Sequence, residues 1–401
     1  MTFKAEIPYG NYWSTPFAKW QGSLANLHSL KFAAHVAAQE LGKRNFPIES
    51  LDYAVLGATT PQKHSFFGLP WLTGMLGAGH VGGPTIGQAC ATSVRCMLAA
   101  VQEIEAGLAT CALAIACDRT SNGPHIFYPA PKGIGGTGDS ENFILDNMMT
   151  DPLGNHSMTQ TAENVAARYE LSTEQQHELV LRREEQYQAA LADDRAFQKR
   201  YMTLPFDVPS HNFRKTAATM EGDEGVTEST PEGLSKLKPV LEGGTVTFGA
   251  QTHPADGNAG MIITTPETAA ELSTDPKIAV RILGFGLGRA ELAYMPEAPV
   301  PAAQQALEQA GKTVKQMDAI KTHNPFVAND LVFAKATGAD VMKMNNYGCS
   351  LVWGHPNAPT GLRSTIELIE ELVLRGGGVG LFTGCAAGDT AMAILIEVGD
   401  R

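Results

Sequence analysis

Cysteine is scarce in this chain: six residues among 401. They are too few and too scattered for a disulfide framework, and Cys90/Cys96 and Cys111/Cys117 lack the short spacings of zinc ligands. Reduced thiols in a cytoplasmic protein are the expectation. Long hydrophobic runs are missing too, and Met1–Pro8 carries no apolar leader core, so neither a bilayer span nor a signal peptide is read. Positive charge is thin. The net charge is −12 and no Lys/Arg cluster exceeds two or three residues, which argues against nucleic acid as a partner.

What is abundant is glycine, 41 residues, with an ordinary apolar fraction, as expected for an α/β protein with many tight turns. The length exceeds that of a usual single domain, so two domains, or two halves of one large unit, are expected. Leu27 to Leu41 forms a helical stripe that ends near Gly42-Lys43-Arg44, and Leu51–Gly57 reads as a buried strand. A glycine-rich segment (Gly74 to Gly83) leads to Ile86-Gly87-Gln88-Ala89-Cys90-Ala91-Thr92-Ser93, followed by the amphipathic pattern Val94, Met97, Leu98, Val101, Ile104. This helix stops near Glu105-Ala106-Gly107, and Cys111–Cys117 is a second buried strand. The order strand, helix, strand indicates an α/β layered unit.

From about Asp118 to Gly244 polar residues, proline and glycine dominate. Ser172-Thr173-Glu174-Gln175 is a capping box that opens a helix toward Asp193-Asp194. Residues 222–225 and 229–233 read as loops. A stretch this long is expected to be a lid or subdomain carrying substrate contacts. The α/β pattern resumes at Thr245-Val246-Thr247 and Gly260–Thr264. The last third then repeats the first: strand Ile278–Gly284, helix around Ala302–Ala310, Met317–Ile320 leading into His323-Asn324-Pro325-Phe326, a helix through Ile366 and Leu372, and strand Val379–Phe382 before Thr383-Gly384-Cys385. Both halves run helix, glycine stop, buried strand, cysteine, which suggests a duplication.

Cys90 precedes a helix, where free N–H groups and the dipole favour a thiolate, the species a thioester-forming nucleophile needs. A free cysteine is equally at home as a buried hydrophobe, so the partners matter. His355, between Gly354 and Pro356, is a candidate base or oxyanion donor; a hydrogen-bonded loop histidine is the plain alternative. His323 has the same two readings, and Cys385 is either a second reactive thiol or a core residue. Together, two cysteines and two histidines at turn positions of matching halves point to thiol-based acyl chemistry.

The chain resembles the thiolase superfamily along nearly its whole length. The resemblance rests on Gly87-Gln88-Ala89-Cys90, Thr161-Ala162-Glu163-Asn164-Val165-Ala166, Leu237-Lys238-Pro239, Gly244-Thr245-Val246-Thr247, Asp256-Gly257, Gly354-His355-Pro356 and Cys385. It implies the thiolase fold: two βαβαβαββ halves in a five-layered αβαβα body with an inserted loop domain. On this chain that gives an N-terminal half at 1–118, an insertion at 119–244 acting as lid and supplying CoA contacts, the end of the first half at 245–268, and a C-terminal half at 269–401.

By the same resemblance Cys90 is the acylated nucleophile, His355 its base, and Cys385 the acid/base at the carbon beside the second thioester. One oxyanion hole is built by His355 and His323, the other by the backbone N–H groups of Cys90 and Ala387. Met158 and Phe326 match positions of the CoA pocket, although each suits a plain core. A histidine opening the 323–326 motif is similar to the sterol-carrier-like branch, which often pairs with a small zinc-ribbon/OB-fold protein, so such a partner is expected here. A homodimer or dimer of dimers is the family habit. CoA is the expected co-substrate, with no metal or redox cofactor needed.

Several positions depart from the family pattern. Asn357-Ala358-Pro359 and Ala386-Ala387 replace glycine-rich runs, and Phe326, Tyr347 and Trp353 are expected to place aromatics beside the site. They suggest a bulky, aromatic or carboxylated 3-oxoacyl-CoA, as in thiolases acting on benzoylsuccinyl-CoA in anaerobic toluene breakdown. Two rival readings are a ketosynthase-like condensing enzyme, which Cys385 argues against, and a catalytically silent acyl-CoA-binding scaffold.

Overall fold

Cys111–Arg119 is buried at all but its last residue, the pattern of a strand covered by helices on both faces. In the computed structural model, which describes residues 3–401, this strand lies inside an N-terminal sheet. The order is Tyr12–Ser14, Ala255–Thr264, Cys111–Arg119, Tyr53–Gly57, Thr85–Ile86, with Ala18–Lys19 also on Ala255–Thr264. A C-terminal sheet has the order Ile278–Arg289, Thr390–Asp400, Gly378–Ala386, Ala319–His323. The two share a plan. In each, one strand runs parallel to a long neighbour (Tyr53–Gly57 to Cys111–Arg119, Ala319–His323 to Gly378–Ala386), which then pairs antiparallel with the next. This shared plan matches the duplication read from the sequence.

Helices Thr92–Glu105 and Thr360–Leu374 lie between the sheets. Val94, Met97, Val101, Leu362, Ile366 and Ile369 share one core with residues of both sheets, each such aliphatic side chain contributing about 1.5–3 kcal/mol by burial. Outside, Ser29–Lys43 and Gly68–Leu76 cover the first sheet through Leu30, Val36, Leu69 and Leu72. Pro299–Gln309 covers the second through Ala302 and Ala306. These are the five layers.

The middle helix carries charge into the core. Arg363 pairs with Asp223 at 2.6 Å and with Glu367 at 3.1 Å, and Lys321 meets Glu367 at 2.9 Å, all with buried side chains. Removing one partner of such a network costs about 3–5 kcal/mol, because the other charge is stranded. Asp223 comes from the central segment, which is thereby fastened to the body.

That segment is structured. It holds the hairpins His125–Tyr128/Asp139–Asn142 and Phe206–Pro209/Thr216–Met220 and the helices Leu145–Met149, Met158–Arg168 and Thr173–Arg195. The Ser172/Gln175 capping box is present. Its helix loses helical dihedrals at Ala192, and Asp193 and Asp194 turn left-handed. Two sequence motifs meet here: Glu163 accepts the N–H groups of Thr245 and Val246 at 2.9 and 2.8 Å. A Cβ on Gly244 would sit 2.2 Å from the Glu163 carboxylate, which explains that glycine.

Some expectations change. The helix Gly68–Leu76 runs into the glycine-rich segment Gly74 to Gly83, because Gly74 is tolerated in it and Gly77 at φ 90° closes it. Within the expected loop at 229–233 the helix Pro231–Leu234 begins, capped by Thr230. Thr245–Thr247 forms no strand, only a bridge from Thr247 to Pro239, its N–H groups being taken by Glu163. Helix Val327–Thr337 and strand Thr390–Asp400 were not read from the sequence.

Candidate active site

The site begins with a strained turn. Ala89 sits at φ 43°, a left-handed conformation that costs a non-glycine residue about 1–3 kcal/mol and recurs at functional sites. Thr92 clamps the turn: its Oγ1 accepts the Gln88 N–H at 2.8 Å and donates to the Ala89 carbonyl at 2.7 Å. Cys90 is thereby presented just before helix Thr92–Glu105, part-buried.

His355 reaches it from the other half. Its Nε2 lies 3.0 Å from Cys90 Sγ and its Nδ1 2.7 Å from Thr360 Oγ1. The backbone here is fixed on both sides: the His355 N–H donates to the His253 carbonyl at 2.9 Å, and Gly354 at φ 92° passes so near His253 that a Cβ would meet Nε2 at 2.7 Å. Asp118 joins the halves. It accepts the N–H groups of Thr59, Thr60 and Ala358 at 2.9 Å each and the Thr59 hydroxyl at 2.6 Å. Burial still raises its carboxyl to about 6.

The charge state of Cys90 corrects the sequence reading. Burial pushes its thiol up to about 12, outweighing the N–H groups of Ala387 and Cys90 that favour the thiolate, and Asp118 adds to the rise. Burial also pushes His355 down to about 3. Both shifts favour a neutral pair at rest. Cys90 S–H donates to Nε2, and His355 Nδ1–H donates to Thr360. The helix start is real, but two or three N–H dipoles do not offset the loss of water around a sulfur anion.

His323 ends strand Ala319–His323, is buried, and stacks on His355 with ring centroids 4.1 Å apart. Burial, then His355, holds it far below the usual histidine range. Ser350 Oγ lies 2.8 Å from its Nδ1, accepts the Asn324 N–H at 3.1 Å, and is 3.2 Å from Asn324 Oδ1. A hydroxyl proton given to Nδ1 puts the proton of His323 on Nε2; given to Asn324 Oδ1, it lets Nδ1–H donate to Ser350. The Nε2 atom is buried with no hydrogen-bond partner among the described residues.

Cys385 lies inside strand Gly378–Ala386 rather than at a turn, fully buried, and receives the Asn329 amide N–H at 3.2 Å. Burial, then Cys90, raises its thiol strongly, while Asn329 pulls it down. Cys90, His355, Cys385 and Ala387 line one cavity of about 220 Å³, together with Met158, Phe326, Met295, Ile144, Met148 and Met149. A second cavity of about 440 Å³ shares Gln251 and Thr252 with it and is bounded by Leu234, Leu237, Phe248 and His253.

The structure thus brings Cys90, His323, His355, Cys385, Met158, Phe326 and Ala387 to one place. It does not bring two of the expected aromatics. Trp353 packs edge-on against Phe17 and under Arg363, and Tyr347 stacks on Phe197. Asn329, Ser350 and Thr360 were missed. Each is a polar residue at or near a helix start, where sequence reads it as a cap.

A thiol hydrogen-bonded to an imidazole base, beside a second imidazole and a second thiol, can form and resolve an acyl-cysteine. Comparison with known proteins names the setting. Residues 12–267 match the thiolase N-terminal domain and residues 276–398 the thiolase C-terminal domain. The chain belongs to the thiolase family. This thiolase is 28% identical over 395 residues to an acetyl-CoA acetyltransferase of Chromobacterium violaceum, covering 96% of this chain and 97% of that one. It is also 28% identical to human mitochondrial 3-ketoacyl-CoA thiolase over 394 residues, covering 96% of each. The crystal structure of the human enzyme superposes with a TM-score of 0.89 at 25% identity, covering 98% of this chain and 99% of that one. Acetyl-CoA acetyltransferase of Bacillus anthracis gives 0.88 at 25%, over 99% of each. The thiolase is accordingly an acyltransferase.

Proposed function

We propose that this thiolase cleaves a 3-oxoacyl-CoA with CoA through an acyl group on Cys90. The observation that carries this is the Cys90–His355 contact of 3.0 Å in a cavity that also exposes Cys385. His355 takes the Cys90 proton as the sulfur attacks the 3-oxo carbon, so charge forms only as the bond does. The carbon–carbon bond breaks, and the electron pair passes to a thioester enolate held by His323 Nε2–H. Cys385 protonates its carbon and becomes a thiolate, favoured by the Asn329 N–H. That thiolate then takes the proton of CoA. The CoA sulfur attacks acyl-Cys90, the backbone N–H groups of Cys90 and Ala387 hold the oxyanion, and Cys90 leaves and recovers its proton from His355. Each enzyme group regains its starting proton, and the net transfer is of the CoA thiol proton to the product carbon.

CoA would enter along the larger cavity, which meets the smaller at Gln251 and Thr252. A related structure, human mitochondrial 3-ketoacyl-CoA thiolase in complex with CoA, superposes with a TM-score of 0.87. Residues 119–244 would act as the lid, since Ile144, Met148, Met149 and Met158 close one wall. Those residues with Met295 and Phe326 favour an apolar acyl group, bulky or aromatic. Among the residues lining this cavity there is no Lys or Arg, so a carboxylated acyl group such as that of benzoylsuccinyl-CoA draws no support from its wall. His323 favours the sterol-carrier-like branch. Exposed Phe66, Phe127 and Ile134 favour assembly into a dimer or dimer of dimers.

The test is intact-protein mass after incubation with a panel of acyl-CoAs that includes acetyl-CoA and benzoyl-CoA. An adduct on Cys90 that free CoA removes is expected. No adduct from any donor, with the fold intact, would sink the scheme.

A further inference from the structure

Cys90 Sγ and one ring nitrogen each of His323 and His355 all lie within 4.8 Å of one another. Two observations aim them at a common ligand. His323 Nε2 is buried with no hydrogen-bond partner among the described residues. Each Nδ1 also rests on a hydroxyl, Ser350 at 2.8 Å and Thr360 at 2.7 Å. An imidazole that binds a metal through Nε2 almost always donates Nδ1–H to an oxygen, which fixes the ring and its tautomer. Here both rings have that oxygen in place.

We propose that the substrate-free enzyme captures one zinc ion on Cys90 Sγ, His323 Nε2 and His355 Nε2, with the fourth position open to the cavity for water. Zinc lies about 2.3 Å from sulfur and about 2.0–2.1 Å from nitrogen, so tetrahedral ligands stand about 3.3–3.6 Å apart. The Cys90–His355 separation of 3.0 Å then has to open toward that spacing, and the two rings, with centroids 4.1 Å apart, have to turn out of their stack so that both Nε2 atoms face the ion. The protons balance. The Cys90 S–H proton passes to solvent, which frees His355 Nε2. His323 holds its proton on Nδ1, with the Ser350 hydroxyl turned to Asn324 Oδ1, 3.2 Å away. The ion is an inhibitor, because it occupies the sulfur lone pair that acylation uses. Only that consequence rests on the reading of Cys90 as nucleophile; the binding does not.

The test uses the whole chain, stripped with a chelator, incubated with zinc chloride and freed of excess metal by gel filtration. The expected result is one zinc per chain, with Cys90 protected from iodoacetamide and released by EDTA. Cobalt(II) in place of zinc should give a thiolate-to-cobalt charge-transfer band that Cys90→Ser abolishes. His323→Asn should weaken zinc binding at least tenfold, and Ser350→Ala, which keeps all three ligands, about 10–100-fold. Wild-type protein that retains no zinc, or whose Cys90 alkylates equally fast with zinc, overturns the proposal. So does a folded His323→Asn variant that binds as tightly as wild type. Zinc capture without acylation by any acyl-CoA would leave this site standing and remove the thiolytic scheme instead.

Discussion

Cys90 and Cys385 come from different halves of the chain and line the same cavity, and burial raises both thiols. They are held differently. Cys90 stands on a turn with a left-handed Ala89, and its sulfur meets an imidazole. Cys385 is locked in a strand paired on both sides, and its sulfur receives the Asn329 amide N–H. Burial therefore does not distinguish the proposed nucleophile from the proposed acid; the partner does. A base at the sulfur lets a neutral thiol attack without first becoming an anion. An N–H donor supports the thiolate left behind once the proton has gone.

The hardest way to break this comparison is to delete each thiol. Cys90→Ala should abolish acyl-enzyme formation, a loss on the order of 10⁴-fold or more, as when other covalent nucleophiles are removed; turnover at an ordinary rate would end the scheme. Cys385→Ala should still acylate Cys90 from an acyl-CoA within about tenfold, while carbon–carbon cleavage falls by about 10²–10⁴-fold. Equal losses in both half-reactions would show that the two cysteines are not separate in role. Below these lies Asn329→Leu. It removes the N–H that lowers the Cys385 thiol and should slow cleavage roughly tenfold, about the kinetic value of one hydrogen bond to a charged group. Acylation should stay intact; a slowed acylation would mean that the variant had instead disturbed the Phe326–Asn329 turn, where the same side chain accepts the Phe326 N–H at 3.2 Å.

What the sequence could tell about this site follows from distance along the chain. Gly87–Thr92 was legible because the turn, the clamp by Thr92 and the helix start all lie within a few residues. The alternation of buried strands and amphipathic helices was legible by periodicity, whereas the five-layered arrangement came from the family resemblance. The ionisation of Cys90 was not. It depends on Ala387, Asp118 and the closure of the 355–360 loop over the sulfur, contacts that exist only once both halves have packed. Trp353 and Tyr347 misled for a related reason: proximity in sequence to His355 placed them near the site, yet helix Ser350–Trp353 turns Trp353 onto Phe17. Ser350 was invisible because the ring it touches belongs to a histidine 27 positions away.

The smallest expected effect is a flat line. With Cys90 pushed up to about 12 and His355 down to about 3, the pair stays thiol and imidazole across the whole middle of the pH range. Alkylation of Cys90 by iodoacetamide should then change little between pH 5 and pH 9, roughly the window in which an ordinary thiol, with a pKa near 8.5, gains thiolate about tenfold per pH unit until it levels off. The sign is fixed at both ends. The rate should fall only toward pH 3, where His355 protonates and can no longer accept the thiol proton. It should rise only toward pH 12, where the thiolate forms without help. His355→Gln removes the base and leaves burial in place, so the variant should be slow throughout and climb only at the alkaline end. A wild-type profile with a step near neutrality would mean that the site relaxes into a thiolate–imidazolium pair. The nucleophile would then be set by charge, as the helix start alone suggests, and its contrast with Cys385 would be one of ionisation rather than of partner.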